Sequence, residues 1–221
     1  MAFRGALGQP GGRGAAWRDS LFVDHALFRL VWTNLAGVLP GRLYRSNHPT
    51  PGQLASAKRR LGITTLINLR GRRQCGSDAL SREAAGRLGL RHVDMAFESR
   101  GAPHRDRILR FHEIFESLDG PALMHCKSGA DRAGLASGLA VMFSGGTSAE
   151  ALWQLSWRFG HWKSARTGVL DSFFHRYAAD GEGRVGFLEW VRDEYDEVGL
   201  KRDFVANGLA SFVTDRVLRR E

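Results

Sequence analysis

Apolar residues along this chain fall into short, regularly separated blocks, and the spacing within each block assigns its element. Ile63-Thr64-Thr65-Leu66-Ile67-Asn68-Leu69 is a nearly continuous apolar and β-branched run, the mark of a strand buried on both faces. Leu43-Tyr44-Arg45-Ser46, Leu90 to Phe97, and Pro121-Ala122-Leu123-Met124-His125 read as three further strands. Between them, Gln53 to Leu61, Leu80 to Leu88 and Arg105 to Leu118 read as helices, the first two stopped by Gly62 and Gly89. Pro40-Gly41 predicts a turn ahead of the first strand. Ala133 to Phe143 predicts an apolar helix ended by Gly145-Gly146, and Thr147 with Glu150 forms a capping box for the next one. Strands alternating with helices imply an α/β fold with a parallel sheet covered on both faces.

The two ends read differently. Residues 1–16 are rich in Gly, Arg and Ala and are expected as a flexible tail. From Trp17 an amphipathic helix is expected, with Leu21, Phe22, Leu27, Phe28, Val31 and Trp32 at roughly helical spacing. From about residue 148 onward the pattern is all helix, broken by glycines at 181–186 and resumed at Phe187 to Tyr195. The expected organisation is therefore a tail over 1–16, a main domain over 17–180 and a C-terminal helical extension over 181–221.

Charge narrows the partners. The chain has 221 residues, 43% of them hydrophobic, and a formal net charge of +9, which favours an anionic partner. Phosphorylated substrate and the surface of an acidic membrane both qualify. Nucleic acid is not expected, because basic and aromatic residues are not interleaved along a binding stretch. The stretch from Leu21 to Val38 contains Asp24, His25 and Arg29 and is too short and charged to span a bilayer, and no signal peptide is expected. Two cysteines, Cys75 and Cys126, form no disulfide framework and suggest a reducing, cytoplasmic setting, with peripheral membrane contact as a further expectation. No metal-ligand cluster stands out, so neither metal nor cofactor is expected.

The chemistry concentrates at His125-Cys126-Lys127-Ser128-Gly129-Ala130-Asp131-Arg132-Ala133-Gly134, which links a predicted strand to a predicted helix. A helix N-terminus with exposed backbone N–H groups is an anion site. Gly129 lets the loop bend so that those groups point inward. Arg132 offers a planar fork for two phosphate oxygens. The same positive surroundings favour a reactive thiolate at Cys126, which would attack phosphorus and form a phosphocysteine. His125 is placed to help hold the loop. The alternative is an inert buried cysteine at a strand end, but the complete string between strand and helix is more specific than Cys-x5-Arg alone.

This string resembles the signature loop of the cysteine-based protein tyrosine and dual-specificity phosphatases, in an atypical bacterial branch with the loop HCxxGxDRxG. Gly41-Arg42-Leu43-Tyr44-Arg45-Ser46 and Ile67-Asn68-Leu69-Arg70 are similar to early strands of small atypical members, so the resemblance spans roughly residues 38–145. It implies the tyrosine-phosphatase fold, a central, mostly parallel sheet of four or five strands flanked by helices, here with extra C-terminal helices. It also implies that residues 125–134 bind the phosphate, and that the substrate is phosphotyrosine protein or a phosphorylated lipid or inositol. Lys127 after the cysteine and Asp131 before the arginine resemble lipid-directed members. A catalytically weak phosphate-binding module of the same fold is the alternative; a sulfur-transfer enzyme usually lacks the Gly-x2-Arg-x-Gly ending.

A general acid must protonate the leaving oxygen. Asp131 is one candidate, placed in the loop itself. Asp94, 32 residues before Cys126, has the spacing typical of dual-specificity enzymes but falls within a predicted strand, whereas Glu98 falls on the loop after it. Asp131 could instead pair with Arg132 or cap the helix. Ala133 departs from the family, which usually has Ser or Thr there to help the cysteine leave, so either breakdown of the phosphocysteine is expected to be slow or another group assists it. The resemblance further implies that Cys75 could form a reversible disulfide with Cys126. Arg70, Arg72 and Arg73 either extend the positive rim or are solvated. Trp153, Trp157, Trp162 and His161 are expected as packing residues, with Ser164 to Gly168 as a candidate wall of the site.

Overall fold

In the computed structural model, the described residues are 3, 6–24 and 31–205. Five strands form one sheet: β1 Ala36–Leu39, β2 Leu43–Ser46, β3 Thr65–Asn68, β4 Arg91–Asp94 and β5 Ala122–His125. Their order is β1-β2-β5-β3-β4, with β1 antiparallel to β2 and every other pairing parallel. The mostly parallel, helix-flanked α/β sheet read from the sequence is thus what the chain forms. Helices among the described residues include α1 Gly12–Arg18, α2 Pro51–Leu61, α3 Gly76–Arg87, α4 Arg105–Glu116, α5 Asp131–Phe143, α6 Ser148–Trp153, α7 Val169–Asp180 and α8 Phe187–Asp193. Capping boxes open α2 at Thr50 and Gln53 and α6 at Thr147 and Glu150.

Alternation along the strands builds two cores. Leu66 and Leu123 turn to one face, against Leu54 and Ala57 of α2 and Ala84 and Ala85 of α3. Ile67 and Met124 turn to the other, against Phe111, Leu135, Leu139, Phe173 and Phe174. The parallel register sets Ser46, His125, Asn68 and Asp94 level with one another at the carboxyl ends of β2, β5, β3 and β4. In open α/β sheets this edge is where ligands bind.

Three expectations change. Strand β1 was not foreseen: Ala36-Gly37-Val38-Leu39 is a short, half-exposed edge, and only the Pro40-Gly41 turn, with Gly41 at φ 71°, folds it back on β2. Part of the expected tail, residues 12–16, lies in helix α1 and is packed on α3, so closely that a Cβ on Gly76 would lie 2.0 Å from the Ala16 carbonyl oxygen. A π-helical turn, Asp19–Val23, comes directly after it; residues 25–30 of the amphipathic helix expected from Trp17 lie outside the described residues. Beyond the boundary expected at 180, Trp190, Val191, Tyr195 and Leu200 belong to the larger core. Phe173 meets Tyr195 edge-on at 5.0 Å and Trp190 at 5.7 Å, and the Tyr195 hydroxyl donates to the Pro103 carbonyl at 2.9 Å. No described helix is long and apolar enough to cross a membrane.

Candidate active site

The chain leaves β5 at His125 and enters α5 at Asp131, so Cys126 to Ala130 form a tight loop over the helix N-terminus. Gly129 sits at φ 78°, and a Cβ there would approach the Asn47 backbone nitrogen to 2.7 Å; only glycine fits both constraints. Its N–H donates to Cys126 Sγ at 3.2 Å. Cys126 is 2% exposed and lines a cavity of about 400 Å³. Arg132, in the first turn of α5, lines the same cavity, and burial draws its guanidinium pKa below the ordinary value while the charge of Cys126 works the other way.

A loop whose N–H groups face inward must place its carbonyls elsewhere. Arg45, on β2 and fully buried, donates from Nη2 to the carbonyls of Gly129 (2.7 Å) and Ala130 (3.1 Å), and from Nη1 to the carbonyl of Gln154 (2.7 Å). Its guanidinium also stacks 4.0 Å above the Phe159 ring. Burial pulls its pKa down to about 10, still charged at neutral pH. Asn34, at φ 50°, donates to the carbonyls of Ser128 (3.1 Å) and Phe159 (2.9 Å). A Cβ on Gly134 would come within 2.7 Å of Leu155 and 2.9 Å of the Gln154 oxygen, so the glycine lets the segment after α6 close against α5.

Beside the loop, Arg70 Nη1 donates to His48 Nδ1 (3.0 Å), which leaves His48 Nε2–H to donate to the Ser77 carbonyl (3.1 Å); His48 packs edge-on against His125 at 4.4 Å. Arg70 also grips Asp24 through two hydrogen bonds of 2.8 and 3.0 Å, and Lys127 Nζ lies 3.6 Å from the same carboxylate. Asp24, Trp32, Asn47, Ser99, Arg100 and Thr167 complete the cavity wall.

The candidate acids separate cleanly. Asp131 lines the cavity, but its Oδ1 accepts from His161 Nδ1 at 2.8 Å, and His161 Nε2 donates to Asp171 Oδ2 at 2.7 Å. Burial opposes charge on that ring; the two carboxylates outweigh it and raise the His161 pKa to about 9. Asp94 is held by Arg82 (2.7 Å) and Asn68 (3.0 Å) at the sheet edge, outside the cavity wall; burial would raise its pKa, but these partners lower it overall. Glu98 is paired with Arg107 and lies 3.6 Å from His104, also outside the wall.

The structure thus gathers Cys126, Lys127, Ser128, Asp131 and Arg132 around one cavity, while His125, Gly129, Ala130, Ala133 and Gly134 are buried and shape the loop. Cys75 is free, like Cys126, and lines a different cavity with Arg72 and Arg73; burial pushes its thiol pKa up. Among the described residues, no group of three or more His, Cys, Asp or Glu could hold a metal ion. The reading from sequence missed Asn34, the buttressing by Arg45, the Asp24–Arg70 pair and the polar role of His161. One signal was available for Arg45, a lone charge inside an apolar strand.

No curated protein matches the chain by sequence. Solved structures share its fold: TpbA of P. aeruginosa is 20% identical, with a TM-score of 0.54, covering 78% of this chain and 91% of TpbA. TpbA in complex with pTyr gives 22% identity and a TM-score of 0.51 over 66% and 91%. The catalytic domain of the PP-IP phosphatase SIW14 of S. cerevisiae gives 16% identity and a TM-score of 0.51 over 80% and 93%. The tyrosine phosphatase family model matches residues 32–151, more than half of the chain and the whole of the segment 125–134, and the chain belongs to that family.

Proposed function

We propose that this protein is a cysteine-dependent phosphomonoester hydrolase acting on phosphotyrosine protein or on a phosphorylated lipid or inositol. The observation that carries this reading is a cavity lined by both Cys126 and Arg132, with the Gly129 N–H aimed at the sulfur. The Cys126 thiolate attacks phosphorus, the P–O bond to the leaving group breaks, and the leaving oxygen takes a proton from water. Water then attacks the phosphocysteine, the S–P bond breaks, and inorganic phosphate leaves with the thiolate restored. Loop N–H groups and Arg132 carry the transition-state charge, so the chemistry uses no metal or cofactor. Binding of pTyr by TpbA and the PP-IP activity named for SIW14 support aryl and inositol phosphates as the classes to test. Arg100 and Lys127 in the wall suit a substrate with more than one negative charge.

Cys126→Ser should abolish turnover of an aryl phosphate while phosphate still binds, since serine fits the loop but supplies no thiolate. Arg132→Lys should lose about 10²-fold or more, because a point charge cannot reproduce the fork. Wild-type turnover should survive EDTA. Full activity in purified Cys126→Ser protein would overturn the mechanism. Ala133 favours a second reading, a module that traps phosphate and releases it slowly. Mass spectrometry of the wild-type chain mixed with substrate separates the two: a persistent phosphocysteine with little turnover supports the module.

A further inference from the structure

The carboxylate of Asp131 presents a problem for any enzyme of this design. It lines the cavity that must receive a phosphate dianion, one residue from the arginine that binds it. An anion there repels substrate unless something cancels it. We propose that His161 is a positioning and charge-shielding residue for phosphate binding: its imidazolium, buried behind the loop between Asp131 and Asp171, neutralises Asp131 and fixes it away from the incoming phosphate. This deepens the phosphatase reading and rests on it.

The geometry supports the proposal from both sides of the ring. Nδ1 and Nε2 each meet a carboxylate oxygen, at 2.8 and 2.7 Å, so both nitrogens are donors and the ring is charged. The side chain of His161 is fully buried, so no solvent substitutes for either partner. The charged groups that meet it are Asp131 from α5 and Asp171 from α7. Asp171, in the first turn of α7, holds the ring from behind, and so ties the orientation of Asp131 to the position of α7. A carboxylate held in this way is a poor proton donor, which sets this role against that of general acid.

The test is a charge-cancelling cycle read by binding of inorganic phosphate, measured calorimetrically on the full chain carrying Cys126→Ser to remove the thiol's own charge. His161→Gln should weaken phosphate binding about tenfold or more, the size expected for one uncovered like charge a few ångströms away. Adding Asp131→Asn to His161→Gln should restore most of the affinity, because the charge needing a shield is gone. A merely structural histidine predicts no such rescue. Thermal melts of each variant confirm folding. Should His161→Gln fail to fold, affinity in the Cys126→Ser chain is followed from about pH 7.5 to about pH 10. It should fall several-fold as the histidine loses its proton near 9, and that fall should vanish with Asp131→Asn. Unchanged affinity in folded His161→Gln, absence of rescue, or a flat pH profile would overturn the proposal. If the Cys126→Ser chain binds no phosphate and the wild type hydrolyses nothing, the phosphatase reading itself fails and takes this inference with it.

Discussion

Arg45 shows how much of a candidate active site can rest on a residue outside the cavity wall. It satisfies three backbone carbonyls from inside the protein. Arg45→Met should therefore cost about 3 kcal/mol or more, since buried acceptors left without donors cost roughly 1–3 kcal/mol each. Chemical denaturation measures this, and phosphate binding should weaken with it because the loop loses its outer frame. Asp131 gives a second residue-scale prediction. If it positions rather than donates, Asp131→Asn should slow aryl phosphates and alkyl phosphates by similar factors. A general acid would instead show a gap of about 10²–10⁴-fold, confined to the poor leaving group. The same comparison on Asp94→Asn and Glu98→Gln checks the positions that the structure pairs with Arg82 and Arg107. Cys126 and Arg132 could be read together in the sequence because both lie in the one short segment that joins β5 to the first turn of α5. The roles of Asn34 and His161 could not be read there, because their partners lie far along the chain, and Arg45 offered only its charge inside a strand.

At the scale of elements, the segment between α6 and α7 acts as a brace. Gln154 meets Arg45, Phe159 meets Asn34, and His161 meets Asp131, so three successive points hold the loop in place. The brace should depend on pH. The His161 pKa is raised from 6.5 to about 9, because the two carboxylates outweigh a burial that would lower it. Its contribution to stability is therefore complete below about 6.5 and is lost as pH rises through about 9. The melting temperature should fall across that window in wild type, and fall less in His161→Gln; an equal fall in both would assign the loss to other groups. The strands β2, β3, β4 and β5 were legible from their apolar runs, although Leu90 to Phe97 proved longer as a pattern than as a strand. The brace was not legible: two short 3₁₀ turns, Trp157–Phe159 and Arg166–Gly168, joined by irregular chain have no periodicity to read.

The whole molecule closes around a core that includes its late helices. Phe173, Tyr177, Phe187, Trp190 and Tyr195 pack on one another and on the elements that carry the loop. Ending the chain at residue 180 should leave it unfolded, with no cooperative melt and no phosphate binding. Losing even Trp190 alone removes about 3–5 kcal/mol, against a total stability of roughly 5–15 kcal/mol. A folded, phosphate-binding 1–180 fragment would restore the boundary that the glycine-rich break suggested. That break looked like a linker because glycines mark turns as readily as domain edges, and sequence pattern does not say what packs across them.

The dependence of the loop on residues later in the chain also bears on synthesis. A ribosome delivers Cys126 and Arg132 well before the brace at 154–171 and the aromatic residues at 187–195. A nascent chain that has displayed its entire signature thus lacks the contacts that shape it, and the loop should gain its outer frame only once residues 154–195 have emerged and packed.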